Sequence, residues 1–183
     1  LITQTRREDL DSPKFQGTKT NVAFDATTNT INLVGGGNFD DITDFDAVGS
    51  LDDFGGIVSE GTYDFGGTAG GDTLDLGAVF SVDFKRHFLT EAFYPSDLFD
   101  SRGLIDDITD FDGATATEVN AEMLIRVTQD NPSSSPTYTG FQTFANGTYK
   151  GRGFQFRAKL TSNDVAQDIK VSQLGYTATI QRR

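Results

Sequence analysis

The sequence contains no cysteine and no tryptophan, a single histidine, a single methionine and only four prolines in 183 residues. Without cysteine there is no disulfide, no thiolate metal site and no cysteine nucleophile, and the redox compartment is left open. Basic residues are scarce as well: six Lys and nine Arg stand against 22 Asp and five Glu, a formal net charge of −12. Nucleic-acid binding draws its affinity from Lys and Arg that displace counterions from phosphates, so direct binding of DNA or RNA is not expected. No apolar run approaches the roughly 18 residues of a membrane span, and no charged-then-apolar leader is seen. The chain opens on Leu1 instead of Met, so a processed product or a segment of a longer polypeptide is expected.

What is abundant is Asp, Gly and Phe: 20 Gly and 16 Phe accompany the 22 Asp. Asp and Gly favour turns and caps, Phe and Thr suit strands, and the helix former Glu is rare. The composition therefore reads as strands joined by Asp/Gly loops. A chain of 19.9 kDa fits one domain, burying roughly 70% of its unfolded surface without a metal or disulfide staple.

Periodicity locates the strands. Residues 1–14 are polar, carry Arg6, Arg7, Glu8 and Asp9 without a period, and read as an N-terminal arm or linker ahead of a single β domain over 15–183. Val22 and Phe24, then Ile31 and Leu33, alternate on either side of turn residues 26–29, a hairpin pattern. From Gly35 to Asp72 the chain holds 11 Gly and eight Asp, a loop-like stretch interrupted by a short strand around Tyr63 to Phe65. Leu74, Leu76, Ala78, Phe80, Val82 and Phe84 then fill six consecutive even positions, the strongest strand signal present. Phe88 to Phe93 is apolar but irregular, and a second Asp-rich loop runs from Pro95 to Thr117. Met123, Ile125 and Val127 alternate, Tyr138 to Phe144 is expected to be a strand, Asn146-Gly147 a turn, and Phe154, Phe156, Ala158 and Leu160 alternate again. Finally, Ile169 and Val171 give way to Leu174, Tyr176, Ala178 and Ile180, a phase shift at Ser172-Gln173 that marks a β-bulge or a bend. Seven to nine strands without an amphipathic helix predict an all-β, two-sheet antiparallel sandwich with long Asp/Gly-rich loops. Its long connections make it jelly-roll-like more than immunoglobulin-like, with a closed barrel as the alternative.

The heptapeptide Asp40-Asp41-Ile42-Thr43-Asp44-Phe45-Asp46 recurs as Asp106-Asp107-Ile108-Thr109-Asp110-Phe111-Asp112. Two readings stay open. Asp44 and Asp46, or Asp110 and Asp112, offer hard oxygen ligands for a structural calcium, the one cofactor suggested, although no EF-hand run exists. Alternatively, each copy is an Asp-capped turn whose Ile and Phe tuck into the edge of the core. Gly70-Gly71-Asp72-Thr73-Leu74 resembles one calcium-binding nonapeptide of a β-roll, but that architecture needs tandem copies, so a turn into the Leu74 strand is the better reading. No catalytic constellation emerges. His87, beside Lys85 and Arg86 and expected at a strand end, has no triad pattern around it; phosphate-loop, zinc-protease and nucleophile-elbow motifs are missing. With 27 acids, carboxylate pairs for glycoside hydrolysis carry no signal, and a non-enzyme is expected. Arg152 shares strand parity with Phe154 and Phe156, so it faces inward and needs a carboxylate or carbonyl partner, whereas Arg157 and Lys159 face out. A rim ion pair and a ligand anchor both fit Arg152.

The runs Glu122-Met123-Leu124-Ile125-Arg126-Val127-Thr128, Thr137-Tyr138-Thr139-Gly140-Phe141 and Gly147-Thr148-Tyr149-Lys150-Gly151-Arg152-Gly153-Phe154-Gln155-Phe156-Arg157 resemble a jelly-roll module of bacteriophage tail tip and host-attachment proteins, related in fold to discoidin and carbohydrate-binding domains. Phe15-Gln16-Gly17-Thr18-Lys19, Gly61-Thr62-Tyr63-Asp64-Phe65 and Leu74-Asp75-Leu76-Gly77 are similar to the first strands of that module, so the resemblance spans most of residues 15–180. It implies a non-catalytic virion protein, a structural and attachment module of the phage tail that works with other tail proteins and as a homo-oligomer. The alternative it implies is a carbohydrate-binding module for host surface glycans, with Tyr94, Tyr138 and Phe141 as stacking groups and Arg152 as a polar anchor. Such modules commonly carry tryptophans in the fourth and fifth strands, where this chain has Tyr138 and Phe141. A platform that depends on indole stacking is therefore weakened or absent here.

Overall fold

A computed structural model describes residues 2–35, 57–66, 72–93, 117–164 and 167–180. Its strands are β1 (Ile2–Arg7), β2 (Thr18–Thr20), β3 (Val22–Asp25), β4 (Thr30–Leu33), β5 (Glu60–Asp64), β6 (Leu74–Phe93), β7 (Val119–Thr128), β8 (Gln142–Thr143), β9 (Gly147–Ser162) and β10 (Asp168–Ile180). Every pairing is antiparallel, and no helix occurs among the described residues. The sheet runs β2-β5-β9-β6-β10-β4-β3, with β1 on β10 and β7 on β9, and β8 outside β7.

Alternation decides which face each strand buries. On β9, Phe154, Phe156, Ala158 and Leu160 are buried while Gln155, Arg157 and Lys159 look outward; on β7, Met123, Ile125 and Val127 are buried while Leu124 and Arg126 look outward. β9 and β10 are separated by β6 and would lie about 10 Å apart in a flat sheet. Yet the Phe156 ring of β9 stacks on Tyr176 of β10 with centroids 4.3 Å apart, so the sheet curls until its inner faces meet. Phe84 of β6 fills the fold of that curl, meeting Phe144, Tyr149, Phe154, Phe156 and Tyr176 edge-on at 5.2–5.7 Å. The far ends of the path also approach each other. Val58 N donates to Val34 O at 3.2 Å, and a Cβ on Gly61 would collide with Leu33 and Val22. The result is the expected all-β antiparallel fold, sandwich- or barrel-like, with its described strands in one sheet curled nearly to closure.

The bulge in the last strand lies where the phase shift placed it, between Val171 and Gln173. Elsewhere the structure corrects the sequence reading. Ile2–Arg7 is not an arm but a strand paired residue for residue with β10. Thr3, Gln4 and Thr5 are exposed, and Arg6 with the following Glu8 and Asp9 builds a buried polar network rather than an apolar face. Arg6 Nε donates to Glu8 Oε1 at 2.8 Å, Tyr63 Oη donates to Glu8 Oε2 at 2.8 Å, and Leu174 N donates to Asp9 Oδ1 at 3.1 Å. β6 continues unbroken through the irregular stretch to Phe93, so His87 lies mid-strand opposite Gly175 rather than at a strand end. Within β6, Ala78 is exposed despite its even position, since pairing with β9 slips between Asp75 and Phe80 around Gly77 at φ +80°. Only Gln142–Thr143 of the strand expected at Tyr138 to Phe144 pairs as one.

Candidate functional site

The outer face of β5, β9 and β7 brings polar side chains together through strand register. Arg126 lies opposite Gln155, Leu124 opposite Arg157, and Asp64 opposite Arg157 on the other side. Arg157 and Asp64 form a two-point pair, Nε to Oδ1 at 2.6 Å and Nη2 to Oδ2 at 3.1 Å, which raises the arginine pKa above its ordinary value. Arg126 is held differently: its Nε donates to Gln155 Oε1 at 2.6 Å, and Gln155 Nε2 donates to Thr73 Oγ1 at 2.7 Å. Thr73 in turn donates to Asp72 at 3.3 Å.

Residues 137–141 lie alongside β7, tied by Thr139 N to Val127 O at 2.9 Å, Val127 N to Thr139 Oγ1 at 3.0 Å and Thr128 Oγ1 to Thr137 O at 2.8 Å. This tether sets two rings over the arginines. The Arg126 guanidinium lies 4.8 Å from the Tyr138 centroid and 4.7 Å from that of Phe141, and Arg157 lies 4.2 Å from Phe141. Thr18, Asp64, Phe65, Asp72, Arg126 and Phe141 are among the residues around a concavity of about 350 Å³ that Gln155 and Phe156 also line.

Tyr138 and Phe141 are thus brought together, both half-buried, but each already carries a guanidinium at cation–π distance. Arg152 stands apart from them. It pairs with Asp75 at 3.1 Å, and this hydrogen bond, with a second from Gly77 N, holds the Asp75 carboxyl below its usual range. The rim ion pair anticipated for Arg152 therefore has a named partner. Tyr94, Asp44, Asp46, Asp110 and Asp112 lie outside the described residues. Among the described residues no three acidic or histidine side chains converge as a metal site. His87 Nε2 is 2.8 Å from Thr177 Oγ1, and burial, then Arg7, pulls its pKa below the ordinary histidine value. β6 begins at Leu74, directly after Thr73, while Gly70 and Gly71 of the turn expected before it lie outside the described residues.

Sequence reasoning placed Arg157 outward but missed Arg126, Gln155 and Thr73 as a unit. The available signal was parity: Arg126 on β7 and Gln155 and Arg157 on β9 all fall on the outward positions of alternating strands. Their convergence needs the β7–β9 register, which alternation alone leaves undetermined. No family model, curated protein or solved structure matches the chain.

Proposed function

We propose that the chain is a non-catalytic attachment module of a bacteriophage tail, assembled with copies of itself and with other tail proteins. The residue runs that resemble tail tip modules support the tail setting. The observation that carries attachment is the concavity beside β5, β9 and β7, where Phe141, Arg126, Gln155, Thr18 and the carboxylates Asp64 and Asp72 line about 350 Å³. That size lies at the small end of ligand pockets, about 300–1,000 Å³. Mixed donors, acceptors and rings suit a sugar unit better than an extended peptide, which favours the glycan reading of attachment over a purely structural role. The test is adsorption: the purified protein binds host cells or their isolated surface polysaccharide, and Phe141→Ala removes that binding. Silence across a broad glycan array would defeat the glycan reading. Recovery of the native protein as a free monomer absent from purified virions would defeat the tail reading.

A further inference from the structure

We propose that the concavity beside Gln155 is a site for the carboxylate of an acidic saccharide, with Arg126 as the group that holds it. The saccharide half of this assignment rests on the glycan reading above, while the carboxylate half stands on Arg126 itself. In a chain with 27 acids, Arg6, Arg7, Arg152 and Arg157 each have a carboxylate partner. Arg126 has none among the described residues, although it is half-buried. Arg86 also lacks one there, but it is exposed and donates to Phe144 O at 3.3 Å. An arginine withdrawn from water without a counter-charge is costly unless something completes it.

The geometry shows what would do so. Gln155 takes the Nε hydrogen at 2.6 Å and is itself oriented by Thr73 at 2.7 Å. Tyr138 and Phe141, at 4.8 and 4.7 Å, hold the guanidinium plane. The two terminal amino groups have no acceptor among the described residues, and Arg126 lines the concavity. A fixed planar fork with free N–H groups matches a planar carboxylate bidentately. Arg157, the other cation of the site, is neutralised by Asp64, and the Asp64 and Thr18 oxygens remain as hydrogen-bond partners for sugar hydroxyls. Asp72, also at the lining, is exposed and linked through Thr73 to Gln155, on the Nε side of Arg126. The net charge of −12 opposes an anionic ligand at long range. That field is screened beyond about 8 Å at physiological salt, so a contact pair at Arg126 survives it.

The experiment uses the full chain on an array carrying glucuronate-, galacturonate- and sialate-terminated oligosaccharides beside their methyl-esterified counterparts. We expect at least one acidic glycan to bind, its ester to bind about tenfold or more weakly, and Arg126→Gln to weaken the acid but not the ester by a similar factor. Arg126→Lys keeps the charge and loses the fork, so it should recover only part of the affinity. Gln155→Met, which frees the Nε and leaves Arg126 in place, guards against a folding artefact and should weaken acid binding while the thermal melt is kept. Equal binding of acid and ester, or indifference to Arg126→Gln, overturns the carboxylate assignment and leaves the glycan reading standing. Binding to no glycan, acidic or neutral, overturns both.

Discussion

Replacing Asp168 separates the cost of a buried charge from the value of its hydrogen bonds. Asp168 opens β10 and is fully buried. Its Oδ1 accepts from Leu33 N at 3.0 Å and Ile169 N at 2.7 Å, and its Oδ2 from Asn32 Nδ2 at 3.3 Å. Burial nevertheless outweighs these bonds and pushes the carboxyl up to about 6, from 3.8. A carboxyl whose pKa is raised on folding binds a proton in the folded state before the unfolded state does. Its contribution therefore makes the protein more stable as pH falls from about 6 to about 4, and is constant below that. At about 1.4 kcal/mol per unit this contribution is at most about 3 kcal/mol. Asp168→Asn keeps an oxygen for the two backbone N–H groups and loses only the long bond to Asn32. It should match or exceed wild-type stability at pH 8 and lose the gain between pH 6 and 4. Asp168→Ala leaves both backbone donors without their acceptor and should cost about 2–4 kcal/mol at pH 8, and more at pH 4, where it also lacks the wild-type gain. Urea unfolding at pH 4, 5, 6 and 8 measures all three proteins. If Asp168→Asn costs as much as Asp168→Ala at pH 8, or keeps the wild-type pH slope, the reasoning is wrong.

The buried network under β1 yields a second expectation. Tyr63 Oη accepts from Gly17 N at 2.7 Å and donates to Glu8, so Tyr63→Phe should cost about 1–3 kcal/mol in urea unfolding. A loss below about 0.5 kcal/mol would count as a surface effect and contradict the network. Gly175 lies where any Cβ would run into Arg6 O and the Arg7 backbone. Gly175→Ala should push β1 off β10 and raise proteolytic cleavage within the first ten residues. An unchanged digestion pattern would show that β1 adapts without leaving. For calcium, a structural ion present at a hundredfold excess over its dissociation constant stabilises by about 2.7 kcal/mol. Chelation should then lower the melting temperature by about 5–10 °C, whereas an unchanged melt rejects the ion.

Where side chains alternate against a core, the fold was legible in the residues. The even-numbered run ending at Val82 and Phe84, Met123 to Val127, and Phe154 to Leu160 are strands, and the phase shift after Val171 is a bulge. β1 was not legible, because Arg6, Glu8 and Asp9 are buried through ion pairs and hydrogen bonds, and polar burial leaves no apolar period. Tyr138 and Phe141 are implied as stacking groups by the resemblance to carbohydrate-binding domains. Their actual neighbours depend on a backbone tether to β7 and on the β7–β9 register, neither of which is local. Asp64 and Arg157 make the same point: the partners are 93 residues apart and meet only because β5 and β9 pair.

We propose that this chain belongs to a phage tail and presents its β5-β9-β7 face for attachment. Locating the chain within the density of an intact particle tests it most directly. Repeated copies are expected at the tail tip, each with Arg126 and Phe141 directed away from the tail axis. A particle without the chain, or one in which that face is sealed against a neighbouring subunit, would contradict it.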